Sequence, residues 1–419
     1  MRLKKPENPN YAAVIVKVKA IIPLEKCDNV VAINVFGFQA IVSKETKLGD
    51  LGVFFPAETQ LSEDYCHYNN LYRHPEKNDD PTKKGYFEDN RRVKAVKFRG
   101  HRSSAIFMPL SSLGFITDIE AAGFDEGDEF DEVNDIKVCQ KYVVPRSAGS
   151  FRNLEKQKKV SRVDAIHLPE HFSTDNYFRN SDTIHPDQGI TVTQKLHGTS
   201  IRIANTIVKR KKTFRDRIAA WFGVKVQETE FDYVFGSRKV IKDANNPDHK
   251  HFYDSDIWTQ EGKKLEGLIP ENFILYAELI GFTSGGAPIQ KGYTYNHPIG
   301  TCSLWVYRVA FVNEKGFMMD LTWDQVREFC MVRGLNHVPE LWRGAHGDYR
   351  FTDHIDVVLK DKHPHAVPLD KGTVDEGVCI RVDAFIPRVF KAKSPKFLEH
   401  ETKLMDEGVE DMESVTVEV

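Results

Sequence analysis

Short runs in which apolar and polar residues partly alternate fill the first third of the chain. Turn residues separate them, and β-branched and aromatic side chains are frequent within them, as is typical of strands. The runs are residues 14–22, 30–36, 37–42, 52–56 and 104–109. Several short strands in about a hundred residues predict a small barrel, and an OB-type barrel is one candidate. Any other small barrel or sandwich fits the same pattern equally well.

Three polar segments interrupt or end this region. Residues 65–89 are polar and aromatic with little periodicity, which predicts a long loop insertion. Residues 92–100 alternate basic and apolar side chains, so we expect Arg92, Lys94 and Lys97 along an accessible edge or face. Residues 141–161 mix Pro, Gly, Ser and Lys and are typical of a linker.

From residue 163 the pattern alternates between strands and helices. A hairpin is predicted from 189–192 and 200–204, and apolar runs at 273–279 and 304–312 predict buried strands. Residues 322–332 read as a helix, with Thr322 and Gln325 as a capping box and Gly334 after its end. Two more strands are predicted between 374 and the lysines after 390, and the acidic residues from 399 to 419 read as a mobile tail.

These elements predict an α+β protein with two domains and a tail. An OB-type β-barrel is expected at 1–150, a second domain with antiparallel sheets and flanking helices at 160–400, and an acidic tail at 401–419.

The segment from 208 to 226 has a pattern of its own. It contains KRKKTFRDRIAAWFG, whose aromatic and aliphatic side chains fall on one side of a predicted helix. Such a basic segment either contacts RNA, or it packs its aromatics while its charges stay in solvent, which is the commoner outcome.

Composition removes several classes of protein. The chain has 419 residues, of which 41% are hydrophobic, and its net charge of -3 gives no global preference for nucleic acid. Its six cysteines are scattered without a CxxC pair, which indicates reduced thiols and argues against a structural zinc site. No apolar run follows the basic start, and none approaches the ~20 residues that cross a bilayer. We expect a cytoplasmic protein, with a nuclear location left open, that avoids membranes and acts as a monomer.

The stretch TQKLHGTS places Lys195 at the end of an apolar strand, just before a His-Gly turn. A lysine is normally a charged ammonium and attacks nothing until desolvation or neighbouring cations remove its proton. Lys391 and Lys393 lie two residues apart, so on a strand they face the same side and supply such charge. No G-x-x-x-x-G-K-[ST] occurs, so ATP is not held by a P-loop.

Six short motifs occur in a fixed order. They are KLHG at 195–198, GSR at 236–238, LYAE at 275–278, WVY at 305–307, DEGVCIR at 375–381 and KAK at 391–393. The set resembles that of the covalent nucleotidyltransferases, which comprise ATP-dependent DNA and RNA ligases and mRNA capping guanylyltransferases. The resemblance covers about residues 190–395. It implies that 160–400 is a nucleotidyltransferase domain and that the barrel at 1–150 binds RNA. KLHGTS looks most like the nick-sealing RNA ligases, which often have K-x-H-G-T where DNA ligases have K-x-D-G.

The resemblance implies a role for several residues. Lys195 attacks the α-phosphate of ATP to form a lysyl-adenylate, and Arg238 contacts the substrate phosphate. Tyr307 stacks on adenine, or Trp305 does if the register is shifted. Gln194 reads the adenine edge.

The remaining roles concern charge. Glu278 matches an acid that binds ribose or a metal-bound water, and Glu376 matches the acid that holds Mg²⁺ or Mn²⁺. Lys391 and Lys393 contact the α-phosphate. His197 departs from the aspartate of many relatives, so it is either a further group at the metal or a loop histidine that packs beside the turn.

The predicted function is an ATP-dependent RNA ligase that seals 3′-OH/5′-phosphate nicks in duplex RNA or an RNA/DNA hybrid. A barrel before the nucleotidyl domain resembles the Deinococcus-type RNA ligases. DNA ligases and capping enzymes carry their OB domain after the last lysine motif, where only 394–419 remain here. A DNA ligase, a capping guanylyltransferase and a non-enzymatic RNA-binding protein are the alternatives.

Overall fold

The computed structural model describes residues 1–145, 162–172, 174–242, 253, 255–351, 363–384 and 386–409. The described chain falls into two compact units. The first comprises residues 1–145, 175–181 and 392–409, and the second comprises the rest, from 162–174 and 182–391. Most of the predicted linker, 146–161, and the end of the predicted tail, 410–419, lie outside the described residues.

The first unit is built on one large sheet and three small ones. Its strands are β1 (Leu3–Lys4), β2 (Ala13–Lys17), β3 (Ile22–Pro23), β4 (Val30–Val35), β5 (Phe38–Ser43), β6 (Leu51–Pro56), β7 (Thr59–Leu61), β8 (Val96–Phe98), β9 (His101–Ser103), β10 (Ala105–Pro109), β11 (Glu129–Phe130), β12 (Glu132–Val133), β13 (Ile136–Lys137), β14 (Cys139–Lys141) and β15 (Asp175–Asn176). Its helices are α1 (Glu63–Tyr68), α2 (Ile119–Ala122) and α3 (Tyr177–Asn180), with 3-10 turns at Pro9–Tyr11, Pro75–Lys77 and Leu110–Leu113.

The large sheet has the order β11-β2-β6-β10-β5-β4-β3. All its pairs are antiparallel except β10 with β5, which run parallel. Buried apolar residues line both faces of this sheet, so it separates two hydrophobic clusters. The predicted strands are present, but the hydrogen-bonded path of the described residues is open at both ends. A closed barrel is therefore not confirmed.

The predicted loop insertion at 65–89 is only partly a loop. It begins within α1, which Ser62 caps by accepting a hydrogen bond from the Tyr65 backbone N–H. Tyr65, Leu71 and Phe87 are buried in one of the two clusters. The polar residues of the segment obscured these anchors in the sequence pattern.

The basic strand and the acidic tail, predicted separately, neutralise each other within this unit. Residues 395–406 form a helix, α7 (Pro395–Asp406), which begins at its cap Ser394. The buried Arg92 pairs with Asp406 at 2.6 Å, and Lys97 pairs with Glu399 at 3.4 Å. The expectation of an accessible position is thus wrong for Arg92, whereas the Lys97 side chain is 55% exposed. The expectation of a mobile tail from 399 is wrong as far as residue 406.

The second unit contains two main sheets. Its strands are β16 (Gly189–Lys195), β17 (Thr199–Lys209), β18 (Thr229–Ser237), β19 (Phe273–Gly281), β20 (Cys302–Val312), β21 (Met318–Asp320), β22 (Asn336–His337), β23 (Glu340–Ala345), β24 (Gly377–Val382) and β25 (Arg388–Lys393), the last of which runs on into the first unit. Its helices are α4 (Phe214–Trp221), α5 (Ile257–Lys263) and α6 (Trp323–Arg333), with 3-10 turns at Ala165–His167, Ser181–Thr183 and His346–Asp348.

The predicted hairpin around the TQKLHGTS stretch is wrong. Strand β16 pairs with β24 and β23, whereas β17 lies between β18 and β19 in the other sheet. The turn between them therefore carries the chain from one sheet to the other. A sequence pattern cannot show this, because both kinds of connection need the same turn residues.

Helix α6 confirms its prediction. Thr322 and Gln325 form both bonds of the capping box, and Gly334 ends the helix with a φ of 65°. Within the described chain, no helix is both long and apolar enough to cross a bilayer.

Candidate active site

The pairing of β16 with β24 brings the beginnings of two predicted motifs together. Lys195, the last residue of β16, lies opposite Gly377. Glu376 precedes Gly377, and its Oε1 lies 2.7 Å from the Lys195 Nζ. The Lys195 side chain is 14% exposed and that of Glu376 is 4% exposed. The predicted nucleophile is thus a largely buried lysine held by a buried carboxylate.

The turn after Lys195 is held by Glu278 of the neighbouring sheet. The Gly198 backbone N–H donates to the Glu278 Oε1 at 2.9 Å, and the Ser200 hydroxyl donates to the Oε2 at 3.3 Å. A Cβ at residue 198 would lie 2.1 Å from the Leu279 carbonyl oxygen. Glycine is required here because the turn passes directly against strand β19.

One cavity of the second unit collects most of the predicted residues. Among the residues that line it are Gln194, Lys195, Arg238, Glu278, Tyr307 and Lys391. A cavity lined by two lysines, an arginine, a carboxylate and an aromatic ring suits a molecule that carries both phosphates and a planar base.

The two aromatic candidates for stacking have different surroundings. Tyr307 lines the cavity, and its ring lies edge-on to that of His171, with the centroids 4.9 Å apart. The Trp305 indole N–H donates to the Ser303 hydroxyl at 2.8 Å, and Trp305 is not among the lining residues of the described chain. Of the two rings, that of Tyr307 lines the cavity, and its stacking on adenine stays a prediction.

Gln194 has its side-chain amide engaged within the protein. Its Nε2 donates to the Asp375 Oδ2 at 2.9 Å, and its Oε1 accepts from the Val367 N–H at 2.8 Å. Burial raises the pKa of Asp375 to about 7. These bonds tie the residue before Lys195 to the residue before Glu376, while contact of Gln194 with adenine stays a prediction.

His197 packs against tyrosines beside the turn. Its backbone N–H donates to the Tyr295 hydroxyl at 2.7 Å, and its ring meets that of Tyr293 edge-on at 4.7 Å. Its Nδ1 lies 3.5 Å from the Glu376 Oε2. His197 therefore lies next to Glu376, and its role toward a metal stays a prediction.

The two lysines of β25 have different surroundings. Lys391 lines the cavity of the second unit. Lys393, in the first unit, has its Nζ 2.8 Å from the Glu401 Oε2 and 3.4 Å from the Glu58 Oε1. The pair was predicted to act together on a phosphate, and only Lys391 is among the described residues that line the cavity.

Comparison with known proteins adds the family. Residues 188–393 match the family model described as RNA ligase. This range is thus similar to an RNA ligase domain. The matched range contains all six motifs, and the predicted enzyme class is confirmed. A search of curated proteins found no match.

Solved structures share the fold over nearly the whole chain. An RNA ligase of Naegleria gruberi, as a variant with AMP and Mn, is 17% identical with a TM-score of 0.60, and covers 93% of this chain and 98% of its own. A variant with ATP and Mn is 16% identical with a TM-score of 0.58, covering 94% and 99%. The same ligase with PPi is 17% identical with a TM-score of 0.59, covering 93% and 98%. The α+β fold is thus that of an RNA ligase, including the residues before 188.

Arg202 is a residue of the matched range that the motif search missed. It is 2% exposed, and its guanidinium donates to the carbonyls of Ser237 at 2.8 Å and Leu168 at 2.7 Å. Burial lowers its pKa. Because it fixes the residue before Arg238, it positions that arginine on the cavity wall. An arginine between apolar strand residues was the available signal.

Arg381 was missed as well, although it ends a quoted motif. It lines the cavity, its guanidinium lies 4.4 Å from the Trp323 ring centroid, and its buried Nε has no hydrogen-bond partner among the described residues. Burial lowers its pKa to about 10. Because Arg308 also lines the cavity, it contains two more cationic side chains than the sequence predicted.

The carboxylates of the domain fit a hard divalent cation. Mg²⁺ is commonly held by one or two carboxylates together with substrate phosphates and water. Glu278 lines the cavity, and Glu376 lies against Lys195, which also lines it. Among the described residues no cluster of three or more potential ligands occurs, so phosphate oxygens would complete the coordination.

Proposed function

We propose that this chain seals 3′-OH/5′-phosphate breaks in nicked duplex RNA, or in an RNA/DNA hybrid, with ATP as the co-substrate. The observation that carries the proposal is Lys195, a largely buried amine on a cavity that also holds Arg238, Lys391 and Glu278. The fold shared with Naegleria gruberi RNA ligase structures that contain ATP, AMP or PPi supports the choice of nucleotide.

The first step joins Lys195 to AMP. The neutral amine attacks the α-phosphorus of ATP, a P–N bond forms, and pyrophosphate leaves with the electrons of the broken P–O bond. Glu376 favours the charged ammonium, whereas Arg238 and Lys391 on the same cavity disfavour it. The balance between these groups sets how much reactive amine is present.

The later steps use the same cationic wall. The 5′-phosphate of the RNA attacks the lysyl-adenylate and takes the AMP, and the 3′-hydroxyl then attacks that phosphate and releases AMP. We propose that Arg238 binds a substrate phosphate, since its planar fork can bind two oxygens at once. We propose that Tyr307, which also lines the cavity, stacks on the adenine ring.

Glu376 and Glu278 would hold Mg²⁺ or Mn²⁺, with His197 beside Glu376. A divalent ion bound there would neutralise charge on phosphate oxygens. Each carboxylate also makes a contact within the protein. Glu376 pairs with Lys195, and Glu278 accepts a hydrogen bond from the Gly198 backbone N–H.

The first unit is proposed to engage the RNA, in the manner of an OB-type domain of the Deinococcus-type enzymes. This unit contains the seven-strand sheet in which β10 and β5 run parallel, and we propose that its surface contacts the RNA. A monomer acting inside the cell remains part of the proposal.

The decisive experiment is covalent labelling. The protein is incubated with α-³²P-labelled ATP or GTP and Mg²⁺ or Mn²⁺ and then denatured. We expect label from ATP that is stable to denaturation. Label from GTP alone would indicate a capping enzyme, and no label from either would indicate a binding protein.

The substrate is tested separately. The enzyme is given a nicked RNA duplex, the same nick in DNA, and the same ends without a bridging strand. Sealing that is fastest with the nicked RNA duplex supports the proposal. Equal rates on unbridged ends would contradict nick sealing while leaving ligase chemistry intact.

A further inference from the structure

The segment from 209 to 225, between β17 and β18, presents a surface that the proposed chemistry does not use. Strand β17 ends at Lys209, a short helix α4 follows, and Gly223, with a φ of 77°, turns the chain back toward β18. Helix α4 has no buried residue. The sequence left open whether its aromatics pack inward, and the structure shows that they do not.

The apolar side chains of this segment are exposed to an unusual degree. Trp221 is 81% exposed, Phe214 76% and Phe222 70%. The Trp221 and Phe222 rings lie side by side, with their centroids 4.8 Å apart. Large aromatic groups held in solvent mark a binding surface more often than single exposed aliphatic residues do.

Cations surround these rings, and most of them are not neutralised. The segment carries Lys209, Arg210, Lys211, Lys212, Arg215, Arg217 and Lys225 against the single acid Asp216. Arg210 pairs with Asp216, and Lys212 pairs with Glu228. The other five form no ion pair within the described chain. The basic strand of the first unit differs, since Arg92, Lys94 and Lys97 all pair with carboxylates.

Local bonds, rather than packing, hold the helix in place. Thr213 and Asp216 form a full capping box, and the Thr213 hydroxyl and the Arg210 guanidinium lower the pKa of Asp216. A helix kept in shape without a core contact is free to offer its whole surface to a ligand.

We propose that residues 209–225, the basic-aromatic segment, bind an unpaired stretch of RNA that flanks the join. Unpaired cations bind phosphates, and exposed aromatic rings stack on bases that are not paired. A polyanionic ligand is favoured over other partners because the domain is similar to an RNA ligase domain and the charge is complementary. This inference rests on the proposed function for its choice of RNA.

The fold also sets a length requirement. Strand β17 begins four residues after Lys195 and has eleven residues. At about 3.3 Å per residue it places the segment roughly 30 Å from the turn beside the reactive lysine. Only RNA that extends that far beyond the join reaches the segment.

Three variants of the full chain test the proposal. The first removes cations (Lys211→Ala, Arg215→Ala, Arg217→Ala), and the second removes rings (Phe214→Ala, Trp221→Ala, Phe222→Ala). The matched control removes exposed lysines elsewhere in the same unit (Lys263→Ala, Lys315→Ala). Binding is measured, without ATP, to a short nicked RNA duplex with and without a tail of about twenty unpaired nucleotides, enough to exceed the ~4–16 that single-strand sites cover.

We expect the tail to tighten binding by the wild type and the control. Both test variants should lose at least about tenfold in affinity for the tailed RNA and little for the untailed one. Removing three phosphate contacts should also reduce the salt slope, log K against log salt, by about 2, since each contributes roughly 0.7 on a single strand. The ring variant should keep the wild-type slope.

Self-adenylylation by labelled ATP is measured in parallel and should be unchanged in all three variants. Unchanged binding of tailed RNA in both test variants would overturn the inference, whatever the labelling shows. If the variants lose sedimentation with anionic phospholipid vesicles but keep RNA affinity, the surface is a membrane contact and the inference is wrong. If the test variants lose RNA affinity but the wild type is not labelled by ATP, the ligase proposal is refuted. The inference that residues 209–225 bind RNA would still stand.

Discussion

Lys195 and Lys393 each form a buried ion pair with a glutamate, but they belong to different units. Each is a largely buried lysine, 14% and 17% exposed, held by a buried glutamate at 2.7 and 2.8 Å. The difference lies in what else surrounds them. Lys195 lines a cavity together with Arg238 and Lys391. Lys393 lies between two carboxylates, those of Glu58 and Glu401.

The comparison teaches that an ion pair does not mark a reactive lysine. Two acids around one cation stabilise the ammonium form of Lys393 and make it a structural charge. Lys195 has one acid beside it and shares its cavity with two further cations, which is the arrangement that the proposed function requires. Substitutions at Lys195 and at Lys393 should therefore have different effects, on labelling in the first case and on stability in the second.

The largest effect is expected from Lys195→Arg. Arginine retains a cation beside Glu376 but cannot supply a neutral nucleophile. Covalent labelling by ATP should fall by more than about 10⁴-fold, as when a reactive group is removed. The free energy of unfolding, measured by urea denaturation, should change by less than about 1 kcal/mol because the ion pair is kept. A labelled Lys195→Arg protein would show that another residue is the nucleophile.

The second effect is on stability. Lys393→Met leaves Glu58 and Glu401 buried without their cation, and removing one partner of a buried pair costs roughly 3 kcal/mol. The loss should appear in urea denaturation at pH 7 and, by hydrogen exchange, in α7. Lys393→Arg should restore most of it.

The two lysines of β25 are compared by covalent labelling with ATP. The labelling per folded molecule should fall less in Lys393→Met than in Lys391→Met, since only Lys391 lines the cavity in the described chain. The reverse order, or lost labelling with unchanged stability in Lys393→Met, would restore the predicted phosphate role of Lys393.

The sequence predicted what depends on local pattern. Most strands of both units, helix α6 with its caps, and the order of the six motifs could be predicted, because alternation, capping residues and short motifs are local. It also predicted that Lys195 and Glu376 belong to one site. Here the structure adds the reason, which is the register that sets Lys195 opposite Gly377.

Contacts between distant parts of the chain could not be predicted. Arg92 and Asp406 are 314 residues apart, so the basic strand and the acidic helix each looked solvent-exposed on their own. The surroundings of Lys393 depend on Glu58, which lies in the turn between β6 and β7 and is 3% exposed. Strand β16 looked like half of a hairpin because its true partners lie more than a hundred residues later.

Gly198→Ala tests how firmly Lys195 must be held. In Gly198→Ala the new Cβ would meet the Leu279 carbonyl oxygen at 2.1 Å, so the turn after Lys195 must move away from β19. A displacement of about 1 Å at a reacting group costs roughly a hundredfold in rate. The rate of self-adenylylation should fall by that order. An unchanged rate would mean that the turn is free to shift and that Glu278 does not position it.

The smallest effect is the loss of stability at low pH that comes from Glu58, which pairs with Lys393. Burial opposes ionisation of Glu58, but the charge of Lys393, the Glu401 side chain, Lys141 and the Tyr11 hydroxyl together lower its pKa from 4.5 to about 2. A lowered pKa adds stability that is complete above pH 4.5 and is lost as the pH falls toward 2. Glu58→Gln lacks this dependence, so the stability advantage of the wild type over it should shrink by roughly 2 kcal/mol between pH 5 and pH 2. Parallel pH profiles of the two proteins in urea denaturation would show that Lys393 does not hold Glu58 ionised.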